Sequence, residues 1–275
     1  MDRPLPADYH THNVRCGHAR GTIADYVHRA EEVGVREIAC TDHLPIDDRF
    51  GVESRMPVAE FSAYLDEVQE AADAASLPVL LGVEADYYRG CEASLESMLN
   101  RHPFDVVLGS VHFRDYFSTD PIRRGVSDPD HPEALWNEYF TLVAELARTQ
   151  LYDIVGHIDL PKRFGMSTDP ALIERSAGKA LDAIAEAGMA IEINTSGAIH
   201  PMQEVYPGLT LLRWARERDI PLTFGSDAHD PHRVGDGFAD AVALAREAGY
   251  TDSACFRQRQ RTLLPLPVLD QAPID

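Results

Sequence analysis

Basic charge is scarce in this chain of 275 residues, in which 25 Lys and Arg stand against 45 Asp and Glu, for a formal net charge of −20. Proteins that bind nucleic acid or anionic membranes need basic patches, so neither is an expected partner. No segment approaches the roughly 18–20 apolar residues of a membrane-spanning helix. The first residues also lack the charged-then-apolar pattern of a secretory signal. We therefore expect a soluble, cytoplasmic protein.

Cysteine is also sparse. The four cysteines, Cys16, Cys40, Cys91 and Cys255, show no paired spacing, which argues against a disulfide framework. The core must instead be held by the apolar side chains, which make up 44% of the sequence.

Apolar runs that end in a possible metal ligand are, by contrast, abundant. Seven such runs close in His, Asp, Glu or Asn, and a helical segment follows each; they predict strands near residues 7, 36, 79, 106, 154, 191 and 222. A strand followed by a helix, repeated without a break, indicates a parallel sheet. An open doubly wound sheet would gather its ligands at one switch point, whereas here every strand contributes. We therefore expect a single barrel domain over 1–275, with an irregular tail over 262–275.

Helix signals support this division of the chain. Thr22 and Asp25 have the spacing of a capping box, and the apolar stripe that follows stops at Gly34. Asp169-Pro170 is typical of an N-cap followed by the first helical position. Two long connections, 46–57 and 113–130, fall on the ligand side of the expected barrel and are expected to line its pocket.

Nine of these ligand-type residues form the candidate metal site. His10 and His12, like Asp227 and His229, are two apart on an extended segment and therefore point the same way. One zinc or manganese ion takes about four to six ligands, so nine residues suggest two or three divalent ions, with Zn, Mn or Fe equally compatible. The candidate ligands are His10, His12, His18, His43, Glu84, His112, His157, Asp227 and His229.

These motifs resemble the PHP (polymerase and histidinol phosphatase) family of metal-dependent phosphoesterases over nearly the whole chain. The resemblance runs from His10-x-His12-x5-His18 to Gly225-Ser226-Asp227-Ala228-His229. It implies a distorted (β/α)7 barrel with a trinuclear metal centre. It also implies three ligand sets: His10, His12, Glu84 and Asp227; Glu84, His112 and His157; His18, His43 and His229.

Two further motifs are similar to the histidinol-phosphatase branch, namely Gly156-His157-x-Asp159-Leu160 and Asn194-Thr195-Ser196-Gly197. This resemblance implies hydrolysis of L-histidinol phosphate to L-histidinol in histidine biosynthesis, by a hydroxide that bridges two ions. The branch tends to carry a basic residue soon after Gly197, where this chain has Ala198-Ile199-His200. Another small phosphate ester, such as a nucleotide, is therefore the alternative substrate.

Roles within the site follow as expectations. Glu84, Asp159 and Asp227 are the predicted catalytic carboxylates, with Glu84 shared between two ions and orienting the nucleophile. Phosphate attracts cationic side chains, and the predicted substrate-binding residues are Arg15, Lys162, Arg163 and His200.

Two other classes of protein fit part of the pattern. Amidohydrolases also begin with a His-x-His pair, but many bridge their ions with a carboxylated lysine at a strand end. Lys162 and Lys179 are the only lysines here, and neither occupies such a position. A non-catalytic PHP module is the other alternative, although such modules can lose ligands and all nine positions are filled here. The oligomeric state is left open by the sequence.

Overall fold

The structure is a computed structural model that describes residues 4–45, 54–112, 132–164 and 169–268. Most of the two long connections predicted to line the pocket, 46–57 and 113–130, lies outside these ranges. Within them, no helix has both the length and the apolar character needed to cross a membrane.

A curved sheet of six parallel strands forms the centre of the molecule. The strands occur in chain order, β1 (Ile38–Cys40), β2 (Val79–Asp86), β3 (Val106–Ser110), β4 (Ile154–Val155), β5 (Ala190–Asn194) and β6 (Leu222–Gly225). The helices that accompany them are α1 (Ile23–Val33), α2 (Phe61–Ala74), α3 (Glu92–Leu99), α4 (Pro132–Thr149), α5 (Pro170–Ala187), α6 (Leu209–Glu217) and α7 (Phe238–Glu247).

The first predicted strand, near residue 7, is an irregular segment that lies between the two edges of this sheet. On one side Asp8 N donates to Glu37 O over 2.9 Å, next to β1. On the other side Tyr9 N donates to Phe224 O of β6 over 3.0 Å. Isolated bridges pair Asp8 with Ile38 and Thr11 with Ala228. The distorted barrel is therefore confirmed, although its first segment, which includes Asp8 and Thr11, is not a regular strand.

Side-chain alternation divides the barrel interior into an apolar and a polar layer. Because successive side chains of a strand point to opposite faces, residues two apart share a face. Leu80 of β2 and Ala190 of β5 belong to the apolar inner cluster. Two to four residues further along the same faces stand Glu84 and Glu192. The polar layer thus lies at the C-terminal ends of the strands, where barrels of this type carry their sites.

A β-hairpin covers the opposite mouth of the barrel. It consists of antiparallel β7 (Asp252–Arg257) and β8 (Gln260–Pro265). Phe256 belongs to the inner cluster, and its ring meets Tyr9 edge-on at a centroid distance of 5.6 Å. Arg259 Nε lies 3.0 Å from Asp153, directly before β4. The irregular tail predicted from residue 262 is thus wrong for 262–265, because these residues pair with β7; 269–275 lie outside the described residues.

Removing the Phe256 ring should destabilise the barrel without changing its site. Phe256 is buried in the apolar layer, and a buried Phe→Ala change costs about 3–5 kcal/mol through lost burial and cavity formation. We expect Phe256→Ala to lower the free energy of unfolding by this amount in a denaturant titration. Phe256→Leu, which keeps most of the volume, should cost less than half as much; equal losses would show that the ring does not fill the mouth.

The local signals at helix ends are confirmed. Thr22 Oγ1 accepts from Asp25 N while Asp25 Oδ2 accepts from Thr22 N, so the capping box is complete. Gly34 closes α1 with φ 73°, a left-handed conformation that glycine adopts without steric cost. The N-cap of α5 is Asp169, whose side chain accepts from Ala171 N. All four cysteines are buried and free.

Candidate metal centre

Glu84 lies at the centre of the polar layer, surrounded by imidazoles. Its carboxylate oxygens are between 2.7 and 3.7 Å from ring nitrogens of five histidines: His10, His12, His43, His112 and His157. Ser110 Oγ donates to Glu84 Oε1 over 2.5 Å from the adjacent strand. A carboxylate in this position can bridge cations on either side of it.

The other predicted ligands complete the cluster. Asp227 Oδ1 is 3.2 Å from His12 Nε2 and 3.6 Å from His10 Nε2. His229 Nε2 faces His18 Nε2 at 2.9 Å. Four sets of donor atoms drawn from these candidates lie within 4.8 Å of one another: His10, His12 and Asp227; His10, Glu84 and His157; His43, Glu84 and His112; and His12, His43 and His229. All nine residues therefore meet at one mouth of the barrel.

The chemistry of these donors fits divalent cations. His10 Nε2, His12 Nε2, His43 Nδ1 and Glu84 Oε2 are buried, and none makes an aligned hydrogen bond within the described part of the chain. Buried polar atoms normally have hydrogen-bond partners. Imidazole nitrogens and carboxylate oxygens that converge without such partners are the mixed ligand set that Zn, Mn or Fe accepts.

Ionisation of the cluster also favours cation binding. Burial lowers the pKa of His43 to about 4 and that of His229 to about 3, so both rings are neutral at pH 7. Burial would raise the pKa of Glu84, but the surrounding histidines, His43 first, hold it well below its usual range. Burial would lower the pKa of His12, but the carboxylates of Asp227 and Asp42, 3.2 and 3.5 Å from its ring nitrogens, raise it to about 9. A cation bound there would compete with a proton.

A carboxylate behind the cluster, that of Asp86, orients His112. Asp86 Oδ1 lies 2.7 Å from His112 Nδ1, and Arg55 Nη2 lies 2.7 Å from Asp86 Oδ2. A carboxylate that holds the far nitrogen of an imidazole leaves the near nitrogen free to bind metal. Neither Asp86 nor Arg55 was predicted from the sequence, although Asp86 is two residues beyond Glu84 on the same face of β2.

Beside the cluster, a cavity of about 310 Å³ opens to solvent. Its lining combines metal-site residues with cationic side chains: His18, Asp227, His229, Ser196, Ile199, Arg163, His200 and Arg233. Burial, together with the charges of Arg163 and Arg233, lowers the pKa of His200 below its usual value. The cavity thus brings two guanidinium groups to the edge of the metal site, and Arg233 Nη2 also lies 2.7 Å from Oδ2 of the exposed Asp236. Arg163 and His200, two of the predicted substrate-binding residues, line this cavity, and Arg233, which was not predicted, lies beside them.

Arg15 does not reach this cavity. Its guanidinium lies 2.9 Å from Glu60, just before α2, and 2.5 Å from Glu67, on α2. These two carboxylates neutralise its charge, so it ties the His-x-His loop to a helix. The structure does not support the predicted role of Arg15 in binding substrate.

Lys162 and Asp159 form a buried ion pair instead of facing the metal site. Lys162 Nζ lies 2.9 Å from Asp159 Oδ2 and donates to Val205 O over 2.5 Å. Asp159 Oδ2 also accepts from Gly208 N at the start of α6. Burial raises the pKa of Asp159, and the Lys162 ammonium opposes this. Neither the predicted phosphate-binding role of Lys162 nor the predicted catalytic role of Asp159 is supported.

Replacing Lys162 should therefore reduce stability and leave substrate affinity intact. Removing one partner of a buried pair leaves the other charge uncompensated, and we expect Lys162→Met to lower the free energy of unfolding by about 3 kcal/mol. KM for a phosphate ester should change less than about twofold. Lys179→Met, at an exposed position on α5, is the matched control and should change neither. A selective rise in KM for Lys162→Met would restore the phosphate-binding prediction.

An α/β barrel with imidazoles and carboxylates gathered at the C-terminal ends of its strands defines the class of barrel metalloproteins. Within this class the chain belongs to the PHP family: the PHP domain model matches residues 8–196, and a PHP-associated model matches residues 211–240. The resemblance seen in the sequence is thereby confirmed.

Relatives of known name extend this assignment. Over 257 residues the chain is 38% identical to a Deinococcus radiodurans protein named probable histidinol-phosphatase, covering 92% of this chain and 97% of that protein. Identity to the Bacillus subtilis histidinol-phosphatase is 28%, over 83% of this chain and 95% of that protein. A solved structure from Lactococcus lactis, histidinol phosphate phosphatase with zinc, L-histidinol and phosphate, superposes with a TM-score of 0.79 at 22% identity. The superposition covers 93% of this chain and 98% of the Lactococcus lactis chain, and the two chains share the same fold.

Proposed function

We propose that this protein is a metal-dependent phosphatase that hydrolyses L-histidinol phosphate to L-histidinol, a step of histidine biosynthesis. One observation carries the proposal: the nine-ligand cluster opens into a cavity whose other wall presents two arginines. Cations on one side and guanidinium groups on the other suit a phosphate monoester between them. The names of the relatives in Deinococcus radiodurans and Bacillus subtilis favour histidinol phosphate as this ester.

Two or three divalent ions would be held by the cluster, with Glu84 shared between at least two of them. When bound, such ions act as Lewis acids that lower the pKa of water and offset charge on phosphoryl oxygens. This help matters because phosphate monoester hydrolysis needs a rate enhancement of up to ~10²¹-fold. The protein's own part is to keep Glu84 and Asp227 ionised, since neighbouring histidines hold both pKa values well below their usual range in spite of burial.

The arginines would bind and orient the phosphoryl group. Guanidinium groups match phosphate oxygens in geometry and stay charged at every relevant pH. Arg163 and Arg233 line the cavity beside His200, in the region where the sequence lacks the basic residue typical of the histidinol-phosphatase branch. We infer that Arg233, which comes from the loop after β6, supplies the missing charge.

The substrate assignment is tested by a panel of small phosphate esters. Metal-reconstituted protein should hydrolyse L-histidinol phosphate with a kcat/KM at least ~10²-fold above that for AMP or p-nitrophenyl phosphate, since polar groups placed for one ligand reject others strongly. Faster turnover of mononucleotides would favour the alternative substrate class. A metal-loaded protein without activity on any ester would instead support the non-catalytic PHP module.

Replacing Arg233 should weaken substrate use without harming the metal centre. A hydrogen bond to a charged group contributes about 1.5–3 kcal/mol, so we expect Arg233→Ala to lower kcat/KM by ~10–100-fold. Metal content should stay at the wild-type value. Arg213→Ala is the matched control, because Arg213 is an exposed arginine on α6 that pairs with Glu247. Equal kinetic effects of the two substitutions would remove Arg233 from the phosphate site.

A further inference from the structure

Glu192 is a fully buried carboxylate that the nine-ligand set does not include. It stands on β5, two residues beyond Ala190, which faces the apolar interior of the barrel. Because the two share a face, Glu192 points into the barrel directly beneath the metal cluster. A buried carboxylate is costly unless it is paired and hydrogen-bonded, so its contacts should account for its presence.

These contacts join two metal-site histidines. Both carboxylate oxygens of Glu192 lie 3.0 Å from His10 Nδ1. Oε1 also accepts from the backbone N of His157 over 2.8 Å and from Asn194 Nδ2 over 2.9 Å. His10 Nδ1 is the nitrogen remote from the cluster, since His10 Nε2 faces Glu84 and Asp227 at 3.4 and 3.6 Å.

Two glycines make room for this arrangement. A Cβ at Gly225 of β6 would approach Glu192 Oε2 to 2.4 Å and the Cβ of His10 to 2.6 Å. A Cβ at Gly156 would meet Ser110 Oγ at 2.6 Å and Glu192 Oε1 at 3.4 Å. The strands on either side of β5 thus lack side chains at the level where Glu192 meets His10 and the backbone of His157.

We propose that Glu192 is a positioning residue that holds His10 and His157 in register for metal binding. By accepting the Nδ1 proton of His10, it keeps the Nε2 lone pair directed at Glu84 and Asp227. By accepting the backbone N–H of His157, it fixes the segment directly after β4, which carries a second candidate ligand. The inference rests on the proposed metal centre, and it adds a link between ligands on two different strands.

Glu192→Gln is the direct test. The glutamine oxygen is expected to take the Oε1 position, where the His157 and Asn194 donors converge, which places its amide nitrogen beside His10 Nδ1. An amide donor there favours protonation of Nε2, the atom that should bind metal. Loss of such an outer partner typically costs 10–100-fold in metal affinity. We expect that decrease for zinc, measured by competition with a chromophoric chelator, together with a lower zinc-to-protein ratio after gel filtration.

Glu37→Gln provides the matched control. Glu37 is also a buried carboxylate, but it binds Tyr9 and Arg257 at the opposite mouth of the barrel. This change should lower thermal stability and leave zinc affinity within about twofold of wild type. Equal losses of zinc affinity in both variants would show that Glu192→Gln acts by destabilising the whole protein, and this result would overturn the proposal.

A second variant keeps the test decisive if Glu192→Gln folds poorly. Gly225→Ala retains every polar group but introduces a methyl group that must displace Glu192 or His10, so it should also weaken zinc binding. Unchanged zinc affinity and stoichiometry in a folded variant at either position would overturn the positioning role. Wild-type protein that binds zinc but hydrolyses no ester would refute the proposed function alone, because the zinc measurements would still report on Glu192.

Discussion

Glu84→Gln is expected to lower kcat by at least ~10³-fold, more than the 10–100-fold typical of losing an outer partner of a metal ligand. Glu84 is the only residue of the described cluster with oxygens within 3.7 Å of five imidazoles. An amide keeps the shape of the side chain but loses the negative charge that two cations would share. The measurement is steady-state hydrolysis of L-histidinol phosphate after metal reconstitution, with metal content determined on the same sample.

The matched control for this change is Glu96→Gln on the exposed face of α3. It removes the same charge far from the cluster and should leave kcat within about twofold of wild type. The circular dichroism spectrum of Glu84→Gln should remain that of the wild type, because the fold depends mainly on the apolar layers. Near-normal turnover in Glu84→Gln, or in His12→Ala, would refute the assignment of the metal centre.

Removal of the metal should abolish turnover and also destabilise the protein. A ligand that binds only the folded state stabilises it by about 4 kcal/mol at 1,000 times its Kd. For a domain of this size that corresponds to roughly 8–16 °C in melting temperature. Without cations, several buried histidine nitrogens and one Glu84 oxygen lack an aligned hydrogen bond within the described residues. Calorimetry before and after dialysis against a chelator measures the shift, and assays after adding Zn, Mn or Fe identify the effective ion.

Recovery of turnover and of melting temperature when metal is added back is the internal control for this experiment. The melting temperature of Glu84→Gln should respond much less to added metal than that of Arg213→Ala. Chelator treatment that leaves both turnover and melting temperature unchanged would contradict a divalent-metal mechanism.

The ligand set could be predicted because strand geometry is simple. In a parallel barrel the C-terminal ends of all strands meet at one mouth, and residues two apart share a face. His10 and His12 illustrate this, since both reach Asp227. The irregular course of the first segment was not predicted, because its pairing depends on both sheet edges, which lie far away in the sequence.

Residues whose role depends on the side chains around them in space were harder to predict. Arg15 and Lys162 are close to ligands in sequence, yet Glu67 and Asp159 engage them in ion pairs. Arg233 was overlooked because its position in the cavity depends on the loop after β6. A charged side chain pairs with an opposite charge that is near in space, and that partner is three residues away for Lys162 but 52 residues away for Arg15.

The sequence alone determined the class of fold, the nine converging candidate ligands and the resemblance to PHP phosphoesterases. The fold class and the positions of the candidate ligands follow from periodicity and residue type, and the resemblance follows from short motifs; all of these are local properties of the chain. The three-dimensional packing was needed to show which cationic side chains face the cavity, how β7 and β8 cover the opposite mouth, and which carboxylates stand behind the histidines. Those features depend on distances between residues remote in sequence, and such distances are set by packing of the whole barrel.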